Sequence, residues 1–206
     1  MLITPVPDAP LTALGQKQSA ALAPQIPDLQ QEVDLIVTSA LTRTLQSTKL
    51  GWAPAIERLG IENVICLPQA QECNAFPCDT GNLREELEAL DEFKGFNFEL
   101  LTPDWTSKKG FYAPHRKAHR AKWVRQYLRE RPEANIVLVC HGDMLRQITA
   151  TSKGESTKHW KNAEVGVYYF DPETVETENC FLYRKETVAE GYDAMSTEMD
   201  ISRSYL

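Results

Sequence analysis

The stretch Asn135-Ile136-Val137-Leu138-Val139-Cys140-His141-Gly142-Asp143-Met144-Leu145 decides the fold. From Ile136 to Cys140 no polar residue interrupts the run, and three of its members are β-branched. A half-buried strand alternates apolar with polar; an unbroken run is covered on both faces, as in a parallel sheet. After Gly142, a helix runs from Asp143 to about Ala150. Working outward, Val33-Asp34-Leu35-Ile36-Val37-Thr38 has the same character and precedes a helix from about Leu41 to Gly51. Asn63-Val64-Ile65-Cys66-Leu67 is a third short buried strand.

The remaining segments fit around these strands. Thr12 caps a helix with Leu14, Ala21 and Leu22 on its apolar face, ending near Pro24 to Pro27. Pro68 to Gly81 is loop, and Asn82-Leu83-Arg84-Glu85 reads as a capping box for a helix to about Leu90. Loop resumes through Trp105 to Pro114. A helix from His115 to Arg131 carries Ala118, Trp123 and Tyr127 in one stripe, and Pro132 stops it. Val165 to Phe170 and Cys180 to Tyr183 close the sheet around a turn at Asp171-Pro172, with a loosely docked polar tail from Glu186. Alternating helices and apolar strands imply one α/β domain, a mainly parallel sheet with helices on both faces. Ligands of such sheets bind at the carboxyl ends of the strands.

Bulk properties narrow the function. With 22 basic against 29 acidic residues, the net charge of −7 disfavours nucleic acid and anionic membrane as partners. A phosphorylated ligand needs a local basic pocket that opposes this sign. The five cysteines fall in no metal-ligand spacing, so neither zinc nor any other cofactor is expected. The amino terminus lacks the pattern of a signal peptide, and no apolar run approaches the roughly 18 residues of a membrane span. The expected setting is a reducing, cytoplasmic one.

Three strand ends carry the chemistry. After the Leu35 strand, Ser39-Ala40-Leu41-Thr42-Arg43 runs into a helix start, whose free N–H groups suit an anion, and Arg43 adds a planar donor fork for phosphate oxygens. After the Val137 strand, His141 and Gly142 stand where phosphate binding or acid–base work is possible. After the Val64 strand, Gln71-Glu72-Cys73 supplies Glu72, a candidate proton donor.

Five segments in order resemble the histidine phosphatase superfamily, the phosphoglycerate-mutase-like proteins, over nearly the whole chain. Ser39 to Ser47 is similar to its SPLxRTxQT stretch, and Asp8 to Gln18 to its D-x-x-LTxxGxxQ helix start. Gln71-Glu72 with Pro77-Cys78-Asp79-Thr80-Gly81 resembles the variable loop of its fungal and plant branch. Val139 to Leu145 resembles its second histidine motif, and Trp160 to Val165 its segment before the final strands. The resemblance implies a histidine that attacks phosphorus to form a phosphohistidine. It assigns Arg43, His141 and Gly142 to the phosphoryl group and Glu72 to protonation of the leaving oxygen, with no metal. The ligand is then a phosphorylated small molecule or a phosphoprotein, and the activity that of a phosphatase (a hydrolase) or of an isomerase-like phosphomutase.

One motif is missing. The family's Arg-His-Gly-like tripeptide, which ends its first strand ahead of the LTxxG helix, has no counterpart in the seven residues before Asp8. The nucleophile and the first strand are therefore expected to be absent, and residues 1–206 to form one N-terminally incomplete domain. The retained phosphate residues favour truncation over the alternative, a silent pseudoenzyme that binds a phosphorylated ligand or partner. A third reading takes Cys140 to Arg146 as the C-x5-R cradle of cysteine-dependent phosphatases. The basic run from His115 to Arg120 is expected to form a solvated helix face, part of which could meet the far end of a substrate.

Overall fold

A computed structural model describes residues 6–193. The chain opens with α1 (Ala13–Ala20), followed by α2 (Pro27–Glu32) and β1 (Leu35–Thr38). Next come α3 (Thr42–Gly51), α4 (Ala53–Leu59), β2 (Ile65–Cys66) and α5 (Arg84–Glu88). After a long loop come α6 (Lys117–Arg129), β3 (Ile136–Val139), α7 (Gly142–Ile148), β4 (Val165–Phe170) and β5 (Leu182–Ala189). Among the described residues no helix is long and apolar enough to cross a membrane.

The α/β expectation holds. β1 pairs in parallel with β2 on one side and with β3 on the other, in the order β2-β1-β3. Its side chains alternate between two cores, as strand geometry requires. Ile36 joins Leu41, Leu45 and Trp52, whereas Leu35 and Val37 join Val124, Met144 and Ile148. Both faces are covered, and all four β1 residues are buried. The carboxyl ends of the strands then lie side by side: Ser39 donates its N–H to the Val139 carbonyl at 2.9 Å, and Leu67 donates to the Thr38 carbonyl at 2.7 Å.

β3 differs from β1. It is just as apolar, yet all four residues are only half-buried. Among the described residues nothing pairs with its outer edge, and β4 and β5 form a separate antiparallel sheet. That second sheet is not remote, because Val165, Val188 and Ala189 pack on the same core as Val137 and Val139 of β3.

Several local expectations are corrected. Pro27 begins α2, so a helix starts where proline suggested only an end, and Pro54 likewise sits in the first turn of α4. Proline lacks an N–H that the first turn leaves unpaired anyway. Asn82 does not cap α5; Glu86 accepts the Leu83 N–H at 2.7 Å, and the Asn82 amide donates to Asp8 instead. Glu186 to Ala189 belong to β5 rather than to a loose tail, while residues 194–206 lie outside the described region.

The loop before α5 rests on one close approach. A Cβ on Gly81 would lie 2.1 Å from Cζ-side atom Cη2 of Trp105, a fully buried side chain. Gly81→Ala therefore forces the loop away from Trp105, and overpacking of this kind costs about 1–3 kcal/mol. A Cβ on Gly142 would meet only Trp160 Cβ, at 4.0 Å, so Gly142→Ala should change stability by less than about 0.5 kcal/mol. Paired denaturant titrations of the two variants measure the contrast.

Candidate functional site

The site is assembled at the carboxyl edge of the sheet from four stretches of chain. Asp8 holds them in register. Its buried carboxylate accepts the Thr42 N–H at 2.9 Å, the Thr42 hydroxyl at 2.8 Å and the Asn82 amide at 2.9 Å. Its own N–H donates to the Pro77 carbonyl at 3.1 Å. Burial pushes the Asp8 carboxyl above the usual aspartate range, against the hydrogen bonds from Thr42 and Asn82 and the charge of Arg43. This corrects one expectation. The first amide of α3 is not open to an external anion, because Asp8 already occupies it, and the preceding Leu41 N–H reaches the Ser39 hydroxyl at 3.4 Å.

Arg43 follows Thr42 in the first turn of α3, and its guanidinium leans over the neighbouring loop. It donates to the Cys78 carbonyl at 2.5 Å and to the Asp79 carboxylate at 2.8 Å. Asp79 thus stands where an anionic ligand would compete for the same fork.

His141 ends the extended run from β3 and precedes α7. Its Nε2 lies 2.8 Å from the Ser39 hydroxyl, so the tips of β1 and β3 meet through these two side chains. Burial lowers the imidazole pKa well below its ordinary value, and Arg43, Lys108 and Arg120 lower it further. The ring is neutral at physiological pH. Gly142 is exposed at the start of α7 and leaves the space before it open.

Glu72 accepts the Cys73 N–H at 2.6 Å. Its carboxyl is raised, first by burial and then by the charges of Asp143 and Asp79, with Cys73 and Arg43 opposing. A carboxyl kept protonated at higher pH is the form a proton donor needs. Arg43 acts electrostatically on both Glu72 and His141, so the structure brings the three sequence-derived residues into one electrostatic unit.

The sequence reading missed two cations. The Glu72 carbonyl accepts from Arg120 at 3.2 Å and from Lys108 at 3.4 Å. Arg120 lies in the basic run expected to be solvated, but it is fully buried on the inner side of α6. Its period along α6, one turn from Trp123 and Val124, was the available signal. Lys108 sits in an aperiodic loop that gave no signal.

The cysteine cradle does not form. Cys140 points to the opposite face from His141 and donates its thiol to the Ala70 carbonyl at 3.1 Å. Burial pushes that thiol far above the ordinary range. Arg146 turns outward to the Ser156 carbonyl and the Glu155 carboxylate, both at 2.9 Å, and does not close the loop around Cys140.

Comparison with known proteins agrees with this architecture. The family model of the histidine phosphatase superfamily (branch 1) matches residues 2–179. A probable phosphatase of Schizosaccharomyces pombe is 25% identical over 147 residues, which is 69% of this chain and 67% of that protein. The mycobacterial glucosyl-3-phosphoglycerate phosphatase structure superposes with a TM-score of 0.54 at 18% identity, covering 92% of each chain. A mutant phosphoserine phosphatase of Entamoeba histolytica, in complex with phosphoserine, gives 0.52 at 18% identity over 90% of this chain and 87% of the other.

The raised Glu72 carboxyl has a stability consequence of definite sign. In the window between its unfolded value near 4.5 and its higher folded value, the native state binds more protons. Stability therefore falls as pH rises through that window. Glu72→Gln keeps an acceptor for the Cys73 N–H and removes the ionisation. Its thermal midpoint should exceed that of the wild type at neutral pH, and the gap should close towards pH 4; a constant gap at all pH values would contradict this.

Proposed function

Because the chain belongs to the histidine phosphatase superfamily (branch 1), we propose that its site binds the phosphoryl group of a phosphomonoester and serves a phosphohistidine mechanism. The observation that carries this reading is the neutral His141 ring facing Arg43, Lys108 and Arg120, with a raised Glu72 carboxyl beside them. Cations without covalent chemistry of their own are what phosphoryl transfer asks of a site, since most of its catalysis is positioning and charge stabilisation. Arg43 exchanges Asp79 for phosphoryl oxygens, and His141 and the open N–H of Gly142 hold the others.

The attacking imidazole must come from elsewhere. Of the four histidines in the chain, His115, His119 and His159 are exposed and none stands at a strand end. We place the nucleophile on a strand that pairs with the outer edge of β3, where its end would stand beside His141. That imidazole forms a bond to phosphorus as the ester oxygen departs, and Glu72 gives this oxygen its proton. Water or a second hydroxyl then attacks the phosphohistidine, returning a proton to Glu72. The relatives with phosphoserine or 3-phosphoglyceric acid in their crystals favour a phosphorylated small molecule over a phosphoprotein. Without the added strand, the same groups make a phosphate-binding domain with no turnover.

Two proteins test this: the 206-residue chain, and the chain extended by the in-frame segment encoded upstream. The shorter one should bind inorganic phosphate, lose at least about tenfold in affinity with Arg43→Met, and show no turnover of an aryl phosphate. The extended one should gain turnover and a higher unfolding midpoint together. Robust turnover by the shorter chain, abolished by Cys140→Ser and spared by His141→Ala, would reverse the assignment in favour of the thiol.

A further inference from the structure

We propose that Lys108 is an anion contact of the bound ligand, carried into the site by its loop and backed by Arg120 as a positioning residue. The inference rests on the phosphate-site reading above and adds to it a residue that no sequence motif marks. Three independent observations carry it.

The first is an absence of neutralisation. Arg43 has Asp79 as its ion partner, and Lys117, Lys122, Lys158, Lys161 and Lys185 each reach a carboxylate within 4 Å. Among the described residues Lys108 and Arg120 reach none; Arg58 and Arg125 reach none either, but each of those donates to two or more backbone carbonyls. The shared partner of Lys108 and Arg120 is a single uncharged oxygen, the Glu72 carbonyl, and Lys108 is the longer contact. Nε and Nη1 of the fully buried Arg120 have no hydrogen-bond partner at all. Two part-buried cations without a counter-ion are costly in a folded protein, and in a chain of net charge −7 acidic partners were plentiful. An anion entering from outside supplies what the chain withholds.

The second is backbone strain. Lys108 adopts φ 53, the left-handed region that side chains avoid. Residues held there against their preference cluster at ligand clamps. Lys108 is half-buried with its amine at the Glu72 carbonyl, whereas its neighbour Lys109 is exposed.

The third is what the amine faces. The charged groups that act most strongly on Lys108 come from the loop at Asp79, from Glu72, from α3 through Arg43 and from α6 through Arg120, and all belong to the site. Burial, with the charges of Arg120 and Arg43, lowers its pKa to about 8, against the opposing pull of Asp79 and Glu72. Lys108 therefore loses its charge in a range where ester phosphates, with a second pKa of about 6, remain dianions. His141 is already neutral there.

Binding by the 206-residue chain can be measured calorimetrically with inorganic phosphate, glycerol 3-phosphate and 3-phosphoglycerate. Lys108→Met should weaken at least one of them about tenfold, and Lys108→Arg should restore it. An equal loss for all three assigns the amine to the phosphoryl oxygens; a loss confined to 3-phosphoglycerate assigns it to a second anionic group of the ligand. Wild-type affinity for the affected ligand should fall as pH rises through about 8, a dependence that Lys108→Met removes and Lys108→Arg moves to higher pH. If binding is lost with Arg43→Met but indifferent to Lys108→Met, Lys108 is not a contact and the phosphate-site reading stands. If no phosphate compound binds, or Arg43→Met changes nothing, that underlying reading itself fails.

Discussion

The carboxylate of Asp8 is sealed beneath Thr42 and Asn82 with every one of its close neighbours donating to it. Three segments far apart in sequence depend on that one group. It fixes the first turn of α3, and hence the root of Arg43; through Asn82 and Pro77 it fixes the loop that presents Asp79. Burying an ionised carboxylate is unfavourable unless hydrogen bonds replace its hydration. Asp8 has three such bonds and remains raised in pKa, so desolvation outweighs them. The arrangement closes the first amide of α3 to any external anion and leaves Arg43 as what that turn offers one. Side chains can exchange partners, as Arg43 can leave Asp79, in a way that a capped backbone amide cannot.

This shift towards side chains explains the electrostatic layout. The chain is acidic overall, yet Arg43, Lys108 and Arg120 all act on His141, and only Arg43 has a carboxylate partner. The overall charge discourages polyanions, whereas these three cations offer local partners to a compact anion. Burial first, and the field of these cations second, keeps His141 neutral, so the ring can act as a hydrogen-bonding group but not as a fixed cation. Burial also raises the Glu72 carboxyl, and the charges of Asp143 and Asp79 add to it against Arg43. Two groups a few residues from opposing charges thus sit on opposite sides of their ordinary pKa values, the separation that divides proton donor from anion holder.

How much of this the sequence revealed depended on whether the signal was local. The runs at Leu35 and Ile136 are short, β-branched and unbroken, so burial on both faces could be read directly, and Arg43, Glu72 and His141 followed from their places at strand ends. Pro27 misled, because the same residue that stops a helix is well tolerated in its first turn. Glu186 and Thr187 looked like tail because β5 runs through four successive exposed residues, Tyr183 to Glu186, and polar residues on an exposed antiparallel strand are compatible with pairing. Asp8 was seen only as part of a motif; its three partners come from residues 42 and 82, a relation that no local pattern contains. Lys108 was invisible for the same reason. Its importance lies in what it faces, and its loop has no period from which facing can be deduced.

The least satisfied element of the fold adjoins the most functional one. Strand β3 has the composition of a central strand and the exposure of an edge strand, while β1 beside it, with similar residues, is wholly buried. Backbone groups along an unpaired edge must find water or another strand, and each one buried without a partner costs about 1–3 kcal/mol. Val137 and Val139 share a core with Val165 and Val188, so the edge faces a second sheet and not open solvent alone. A strand entering between them would cover apolar surface, pair backbone groups and end beside His141 in a single step. Were a strand to complete that edge, folding and chemistry would be coupled there: it would also set what group stands beside His141, so an unrelated strand would stabilise the protein without supplying that group.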